Sequence, residues 1–361
     1  MRVKLDKVCK RIYAGGDVPK DRYSTVKTAE YAIPIYANAE KDNGLYGYTD
    51  TARENELSIT VAARGTIGFT AIRREPFLPV VRLITVVPDL STVSERYLYY
   101  ALRNCKPASR GTSIPQLTVP DIKKNEIELY SLSVQETIAD KLDAVGRVIK
   151  LRQQQLQKLD ELVKARFVEM FGDVITNTKG WKQYIFSEIA TSRLGKMLDA
   201  KQQTGNSSFP YLANFNVQWF SFDLSSLNKM DFDEEDQVEF ELKEGDLLVC
   251  EGGEIGRCAV WHNEMQPCYF QKALHRVRCN TEMINPNYMA WWFKYNCDHN
   301  GFAAIEGAKA TIAHLPGAKL KLLRVTTPPI ELQNEFASFI EQADKSKVAV
   351  QKAGAGLSDF Y

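Results

Sequence analysis

Basic and amide side chains next to glycine are the groups in this sequence with the clearest chemistry. Arg64 precedes Gly65, and Arg110 precedes Gly111 and Thr112. Arginine and lysine bind phosphate, and arginine, glutamine and asparagine can form two hydrogen bonds with one base edge. A neighbouring glycine allows the backbone to approach a phosphate closely. This pattern is typical of a surface that binds a phosphate polymer, although each residue alone is equally consistent with a solvated charge.

The candidate contact residues fall into two groups along the chain. The first group is Arg64, Arg73, Arg74, Arg103, Lys106, Arg110, Thr112, Gln116, Lys123 and Lys124. The second group is Lys196, Asn216, Gln218, Arg257, Gln271, Lys272, Lys309, Thr311 and His314. The acidic run from Asp231 to Asp236 would repel phosphate, so we expect it to face away from such a ligand.

Side chains that could form a metal or catalytic site are scattered. The seven cysteines include no CxxC pair, and the four histidines have no metal-ligand spacing. No GxxxxGK[ST] loop occurs, so nothing predicts ATP binding. Glu251 and Glu254 flank two glycines and could form an acid–base pair. The matching turn earlier in the chain, Ala63–Thr66, has neither carboxylate, which favours a surface turn instead.

The elements that would position these residues occur twice. A strand-like segment at 57–61 leads into a turn with Gly65 and Gly68, and a second at 246–249 leads into a turn with Gly253 and Gly256. The glycines match at a shift of 188 residues, and Gln135 matches Gln333 at a shift of 198. Matches that keep their order across most of the chain indicate a tandem duplication.

A long helix is predicted after each copy. Ser133 and Glu136 form a capping-box pattern, and apolar residues then recur at alternating steps of four and three until Gly172. The predicted seam continues through Arg166 and Met170 and consists mainly of Ile138, Leu142, Val145, Ile149, Leu156, Leu159 and Val163, with Phe336 and Ile340 in the second helix. A single apolar stripe needs a partner, so we expect the two helices to pair. Glycines at 354 and 356 predict a shortened second helix.

The overall charge does not by itself indicate a ligand. The net charge is +1, with +5 in residues 1–131 and −3 in residues 173–328. Such a balance allows nucleic-acid binding if basic groups gather on one face. We find no apolar signal segment at the N-terminus and no run near the ~18 apolar residues that a membrane span requires. We therefore expect a soluble, cytoplasmic protein of two or three domains.

Several segments resemble one known family. Residues 132–138 and 151–159 are similar to the central helix of type I restriction-modification specificity subunits. Residues 181–199, 216–219 and 245–253 are similar to the start of the second target recognition domain in those subunits. The resemblance covers nearly the whole chain, and the order of these motifs is more specific than any one of them.

The resemblance implies an α+β protein with two tandem α/β target recognition domains, residues 1–131 and 173–328. It implies a spacer helix at 132–172 and a C-terminal helix at 329–361 that pair as an antiparallel coiled coil, while the glycines of the second helix leave a truncation of that helix open. Each domain would read one half of a bipartite, asymmetric double-stranded DNA site, in a system for DNA methylation and phage defence. The implied partners are two methyltransferase subunits and the restriction (motor-nuclease) subunits. S-adenosylmethionine, ATP and magnesium would bind those partners, leaving this chain with no cofactor, metal or catalytic residue.

Two other functions stay open at this stage. One is a solitary DNA-modifying enzyme with a degenerate site. Thr327–Ile330 is the segment nearest to the DPPY-like loop of adenine methyltransferases, but it lacks the polar first residue and the aromatic residue, and its prolines suit a helix start. The other is a coiled-coil scaffold that binds proteins, for which salt-insensitive binding would be expected.

Overall fold

The computed structural model of the chain describes residues 1–105, 116–199, 203–303, 314–354 and 356. These residues form two compact units, the first built mainly from Met1–Leu151 and the second from Arg152–Ala353. The division falls within a helix, so that one element takes part in both units.

Unit 1 contains two main sheets. Its strands are β1 (Arg2–Lys4), β2 (Cys9–Ala14), β3 (Ile33–Tyr36), β4 (Leu45–Thr49), β5 (Ser58–Val61), β6 (Thr70–Arg73), β7 (Leu78–Pro79), β8 (Ile84–Pro88) and β9 (Glu126–Glu128). The four-stranded sheet has the order β2-β8-β5-β6 and is antiparallel throughout. The three-stranded sheet has the order β4-β3-β7, with β3 and β7 parallel, and β1 pairs with β9.

Two helices of unit 1 have clear start signals. The hydroxyl of Ser94 accepts a hydrogen bond from the Tyr97 N–H (3.2 Å) and begins α1 (Glu95–Arg103). Thr118 and Asp121 form a capping box at α2 (Val119–Lys124). Apolar residues of α1, α2 and the four-stranded sheet share a buried core, because alternate strand residues point to the face that the helices cover.

The long helix forms as the periodicity predicts. It is α3 (Leu132–Phe171), a single element of 40 residues. The predicted capping box is wrong, because the Gln135 N–H donates to the Ser131 carbonyl (3.0 Å) and Ser133 therefore lies inside the first turn. Gly172, with φ of +72°, follows the last residue, as a helix stop requires.

Unit 2 repeats the topology of unit 1. Its elements are β10 (Lys182–Ile185), α4 (Phe186–Ile189), β11 (Ala190–Leu194), β12 (Ser208–Leu212), β13 (Val217–Gln218), β14 (Ser221–Phe222), β15 (Asn228–Asp231), α5 (Glu234–Phe240), β16 (Leu247–Cys250), β17 (Cys258–Val260), β18 (Tyr269–Phe270), β19 (Leu274–Cys279), α6 (Pro286–Asp298), α7 (Gly317–Leu320), β20 (Arg324–Thr327) and α8 (Ile330–Gly354). The sheet orders are β11-β19-β16-β17 and β15-β12-β18, with β10 paired to β20 and β13 to β14.

The predicted duplication is confirmed strand by strand. Each four-stranded sheet has the same order, and the parallel contact between β3 and β7 recurs between β12 and β18. The turn glycines agree as well, since Gly65, Gly68, Gly253 and Gly256 all have positive φ, between +69° and +86°. A side chain would strain the backbone at these positions, which explains why glycine stands there in both copies.

Within unit 2, α8 runs antiparallel to the C-terminal part of α3. Arg166 pairs with Glu335 (2.8 Å) and Asp160 pairs with Lys347 (2.8 Å). Earlier residues of α3 therefore contact later residues of α8, which is the pattern of antiparallel helices. The ring centroids of Phe167 and Phe336 lie 5.5 Å apart. These contacts confirm the predicted helix pairing.

The seam itself differs from the prediction near the end of α3. Buried residues follow steps of four, from Val163 to Phe167 to Phe171, instead of passing through Arg166 and Met170. An α-helix has 3.6 residues per turn, so its buried face shifts gradually away from a strict 3.5-residue repeat. The face with Val163, Phe167 and Phe171 is the one that packs in the core of unit 2. Six other predicted seam residues are only half-buried and do not belong to a core cluster of the described residues. They are Ile138, Leu142, Val145, Ile149, Leu156 and Leu159.

Candidate nucleic-acid interface

In unit 1 the glycine turn between β5 and β6 lies against the segment that leads into α2. Arg64 Nη2 donates to Gln116 Oε1 (2.8 Å), and the Leu117 N–H donates to the Ala63 carbonyl (3.0 Å). Asn38 Oδ1 accepts a hydrogen bond from the Ala63 N–H (2.8 Å). Two predicted contact residues, Arg64 and Gln116, are thus brought together from positions far apart in the chain.

A cleft of about 480 Å³ adjoins this turn. Its lining includes Glu40, Thr66, Tyr99 and the predicted contact residue Arg103. The Arg103 guanidinium carbon lies 5.7 Å from the centroid of the Tyr99 ring. The cleft therefore offers charged, hydroxyl and aromatic groups beside the glycine turn.

Unit 2 builds the same framework. The Leu315 N–H donates to the Glu251 carbonyl (2.7 Å), as Leu117 does to Ala63 in unit 1. Asn214 lies two residues after β12, as Asn38 lies two residues after β3, and its Nδ2 donates to the Gly252 carbonyl (2.8 Å).

The exposed side chains on this framework are different. Gly252 and His314 stand at the positions of Arg64 and Gln116, and they pair as an isolated antiparallel bridge. A Cβ at Gly252 would lie 3.4 Å from His314 Nε2, so the imidazole occupies the space next to this glycine. The same backbone edge thus presents a guanidinium and an amide in one copy and an imidazole in the other.

Arg257 has a positioning role in unit 2. Its Nη2 donates to both the carbonyl (3.0 Å) and the side-chain oxygen (2.6 Å) of Asn214. Together with the Asn214–Gly252 bond, these contacts tie β12 to the turn that follows β16. The sequence pattern identified Arg257 as a contact residue but could not show that its guanidinium orients Asn214.

Two predicted contact residues are buried, and the prediction is wrong for them. Arg73 is 3% exposed, its guanidinium carbon lies 3.6 Å from the Tyr36 ring centroid, and it donates to Thr60 Oγ1 (3.1 Å). Asn216 is 1% exposed, and its Nδ2 donates to two backbone carbonyls, those of Asp223 (2.8 Å) and Ser226 (2.9 Å). Both side chains satisfy buried polar groups within their own unit and are not available to a duplex.

Lys196 and Arg74 are engaged in internal ion pairs. Lys196 Nζ pairs with Asp236 and donates to the Asp231 carbonyl (2.8 Å), so the ammonium of this predicted contact residue is engaged within unit 2. This contact also neutralises part of the acidic run. Arg74 is exposed, but its guanidinium forms a two-pronged pair with Glu95.

The remaining described candidates lie at the surface or half-buried. Lys123 and Lys124 are exposed on α2, Lys272 is exposed beside half-buried Gln271 in the turn before β19, and Gln218 is exposed on β13. The other predicted contacts lie outside the described residues: Lys106, Arg110, Thr112, Lys309 and Thr311.

Sequence reasoning missed one charged cleft of about 690 Å³. Its cations are Lys10, Arg11, Arg53 and Lys123, and its lining also includes Asp6 and Glu54. Lys10 pairs with Glu56 (2.8 Å), and Arg11 pairs with both Glu54 (2.9 Å) and Glu56 (2.8 Å). The Arg53 guanidinium carbon lies 4.8 Å from the Tyr13 ring centroid. These cations come from distant segments and have no counterpart motif in the second copy, so no local pattern marked them.

Other kinds of site have little support in the described residues. Within the described ranges no group of three or more His, Cys, Asp or Glu side chains is arranged to hold a metal ion. Across the same residues no helix is long and apolar enough to cross a bilayer. The Pro328-Pro329 pair serves as a helix start, since the Leu332 N–H donates to the Pro329 carbonyl (3.1 Å) and α8 begins at Ile330.

The fold and the glycine turn of each unit define a class of protein. It consists of two tandem α+β units joined by a long helix. The two units carry different polar groups on the same backbone framework. The chain belongs to the family of the type I restriction modification DNA specificity domain, whose model matches residues 1–161 and 178–354. The match includes both copies of the repeat. The resemblance seen in the sequence is thereby confirmed.

Individual relatives agree with the family. The chain is 34% identical over 169 residues to a type I specificity subunit of Mycoplasma pneumoniae and 39% identical over 140 residues to a second one from that organism. The matches cover 44% and 39% of this chain, and the chain spans only 46% and 41% of those relatives' lengths. A type I restriction enzyme specificity subunit of Haemophilus influenzae is 24% identical over 267 residues, covering 72% of this chain and 66% of the relative.

Two solved structures share the fold over almost all of the chain. One is the crystal structure of a type I restriction-modification system S subunit from M. genitalium, with a TM-score of 0.57 and 14% identity, covering 99% of this chain and 92% of that chain. The other comes from work on complex assembly and conformational transition of the type I R-M system, with a TM-score of 0.60 and 16% identity, covering 99% and 94%.

Proposed function

We propose that this chain is the DNA-reading specificity subunit of a type I restriction-modification complex, with each unit binding one half of a bipartite double-stranded site. The observation that carries this proposal is the repeated edge, where one framework holds Arg64 and Gln116 in one copy and Gly252 and His314 in the other. Direct readout depends on which donors and acceptors reach the base edges. Two copies with different groups at one position suit a site whose halves differ.

Phosphate binding has a separate source in the proposal. Lys123 and Lys124 are exposed on α2, and the cleft beside Lys123 adds Arg53. Phosphate contacts position a protein on DNA without reading sequence, and they make affinity fall steeply with salt. A net charge of +1 is compatible with this role because the cations are clustered locally.

The helices would act as spacer and docking element. We propose that α3 and α8 set the gap between the half-sites and bind two methyltransferase subunits, with restriction subunits joining to complete the complex. Exposed apolar residues along α3 support docking, because such residues are costly to leave in water. They are Val148, Leu151, Leu162 and Val168, which are 38–63% exposed.

Catalysis would belong to the partners. In the proposed complex S-adenosylmethionine, ATP and magnesium bind the methyltransferase and restriction subunits, while this chain selects the DNA site. A cytoplasmic location follows from the proposed ligand, chromosomal or invading DNA.

The proposal is tested by co-expressing the full chain with a methyltransferase subunit encoded beside it and mapping methylated adenines genome-wide. A bipartite motif with a fixed gap is expected, and none should appear when this chain is omitted. A variant carrying Lys123→Ala and Lys124→Ala should keep the same motif while binding more weakly and with a shallower salt dependence. Methyl transfer by the isolated chain, or protein binding that ignores both salt and added duplex, would contradict the proposal.

A further inference from the structure

We propose that Arg64 and Gln116 form a donor pair that reads guanine in the half-site bound by unit 1. This inference rests on the proposed DNA-reading function and adds to it the identity of one base. It follows from the hydrogen bond that joins the two side chains and from the chemistry of the N–H groups that this bond does not use.

The bond determines which way the Gln116 amide faces. A guanidinium has five N–H donors and no acceptor, so the atom of Gln116 that meets Arg64 Nη2 at 2.8 Å must be the amide oxygen. The Nε2 group of Gln116 is then turned away from Arg64. The pair can therefore offer the remaining guanidinium N–H groups and the amide NH₂ as donors, while Arg64 already occupies one lone pair of the amide oxygen.

The pair is held in place by the backbone on either side. The carbonyl of Ala63, next to Arg64, accepts a hydrogen bond from the Leu117 N–H (3.0 Å), and the Ala63 N–H donates to Asn38 Oδ1 (2.8 Å). Gly65 follows Arg64 with φ of +69° and gives the tight turn. Arg64 is exposed and Gln116 is half-buried. The backbone of both residues is thus held in place, while the guanidinium remains accessible to solvent. Such preorganisation lowers the entropy lost when a base is bound.

Among the base edges of the major groove, guanine best suits a pair of donors. Guanine shows two adjacent acceptors, N7 and O6, whereas adenine shows one acceptor and an amino donor, and cytosine shows an amino donor. Thymine offers one acceptor beside a methyl group. Two parallel donors therefore satisfy guanine fully, and they leave a donor facing a donor at adenine or cytosine.

Unit 2 provides a comparison within the same chain. The position of Arg64 is Gly252, and the position of Gln116 is His314, whose imidazole adjoins that glycine. No guanidinium stands at this position in the second copy. The guanine preference is thus assigned to the half-site of unit 1 alone.

The experiment compares methylated-adenine maps for the full chain co-expressed with its methyltransferase subunit. The wild-type motif should contain guanine in one half. Arg64→Ala should relax that one position while the other half and the gap stay unchanged, and methylation of the original site should slow about 10- to 100-fold. Gln116→Glu puts acceptors where Nε2 stood and should abolish the preference for guanine at the same position.

A matched control is Arg22→Ala. Arg22 is an exposed arginine of unit 1 that is also held by one side chain, Asp50 (3.0 Å), and its loss should leave the motif unchanged. Thermal unfolding of each variant reports whether the exposed changes left the fold intact. This check separates lost recognition from lost protein.

The outcomes distinguish the two proposals. A bipartite motif without guanine in either half overturns the inference while the DNA-reading function stands. An Arg64→Ala variant that methylates the unchanged motif more slowly also overturns it, since that result assigns Arg64 to a phosphate. A complete absence of any bipartite motif contradicts the DNA-reading function itself.

Discussion

Gln135 and Gln333 occupy the same position in the two repeats, and each makes the same three hydrogen bonds within its own unit. Gln135 Oε1 accepts from the Ser94 N–H (2.8 Å), and its Nε2 donates to the carbonyls of Thr92 (3.0 Å) and Tyr130 (2.9 Å). Both glutamines are fully buried. Each one joins the first turn of a long helix to the residues that precede α1 or α6.

The second copy reproduces these contacts closely. Gln333 Oε1 accepts from the Asn285 N–H (2.9 Å), and its Nε2 donates to the carbonyls of Met283 (3.1 Å) and Pro328 (2.7 Å). Tyr130 and Pro328 are related by the same shift of 198 residues as the two glutamines, and the other two pairs of bonded partners are each related by a shift of 191 residues. The long helices α3 and α8 therefore begin with the same attachment, α3 to the segment before α1 and α8 to the segment before α6.

The first prediction concerns these attachments. Replacing Gln333 with alanine leaves the Asn285 N–H and two carbonyls buried without partners, so we expect a loss of about 2–3 kcal/mol in the free energy of unfolding. Urea unfolding followed by circular dichroism measures it. Gln154→Ala, at an exposed position of α3, is the control and should change the free energy by less than about 0.5 kcal/mol. An equally small effect at Gln333 would contradict the structural role.

The second prediction concerns the aromatic centre of the helix pair. Phe336 is fully buried between Phe167 (5.5 Å) and Phe171 (5.4 Å), measured between ring centroids. Phe336→Ala should destabilise unit 2 by about 3–5 kcal/mol, because it removes buried apolar surface and leaves a cavity. Val348→Ala, at a position of α8 that is 45% exposed, is the matched control. Equal unfolding midpoints for the two variants would show that the helices do not depend on this contact.

The third prediction is that ion pairs between the helices contribute little. Lys347 lies 2.8 Å from Asp160, whose side chain is 61% exposed. Exposed pairs are screened by solvent and salt, so a double-mutant cycle on Lys347 and Asp160 should give a coupling energy below about 1 kcal/mol. Raising the salt concentration should reduce it further. A coupling of several kcal/mol would mean that charge, rather than the phenylalanine contacts, holds the pair.

The fourth prediction is a loss of stability in mild acid. Burial lowers the pKa of His275, partly offset by Glu251, and its Nε2–H donates to the Leu315 carbonyl (3.1 Å). Because the folded state disfavours the protonated imidazole, this stabilisation is complete above the unfolded-state pKa of about 6.5 and is lost as the pH falls below it. Unfolding free energies at pH 7, 6 and 5 measure the decline.

The variant His275→Gln keeps a donor for Leu315 without a titrating group, so its stability should fall less between pH 7 and 5. His262→Gln, at an exposed position, is the control and should fall as the wild type does. If His275→Gln and the wild type decline in parallel, other groups cause the acid sensitivity.

The fifth prediction concerns the cysteines. Burial raises the pKa of Cys9, Cys268 and Cys279 to about 12, and that of Cys105 and Cys297 to about 11. It raises the pKa of Cys250 and Cys258 as well. The thiolate is the reactive form, so iodoacetamide at pH 8 should label the native chain slowly and all seven cysteines rapidly once urea unfolds it. Mass spectrometry counts the labels, and rapid labelling of the folded chain at Cys105, Cys250, Cys258 and Cys268 would contradict their burial.

The sequence by itself determined the features that depend on neighbouring residues along the chain. The alternating steps of four and three predict α3, and the paired glycines predict two turns with positive φ. The matches at constant shift predict the duplication. Periodicity and backbone freedom are local properties, so they can be recognised before any tertiary contact is known.

Only the tertiary structure decided which polar side chains are exposed and can contact a ligand. Arg73 and Asn216 have the residue types of contact groups, yet packing places both inside their units, where they satisfy buried backbone and aromatic partners. Arg64 and Gln116 form a hydrogen-bonded pair because two segments 52 residues apart meet at the glycine turn. Burial and such juxtapositions depend on how distant segments pack together, and no local pattern in the chain encodes them.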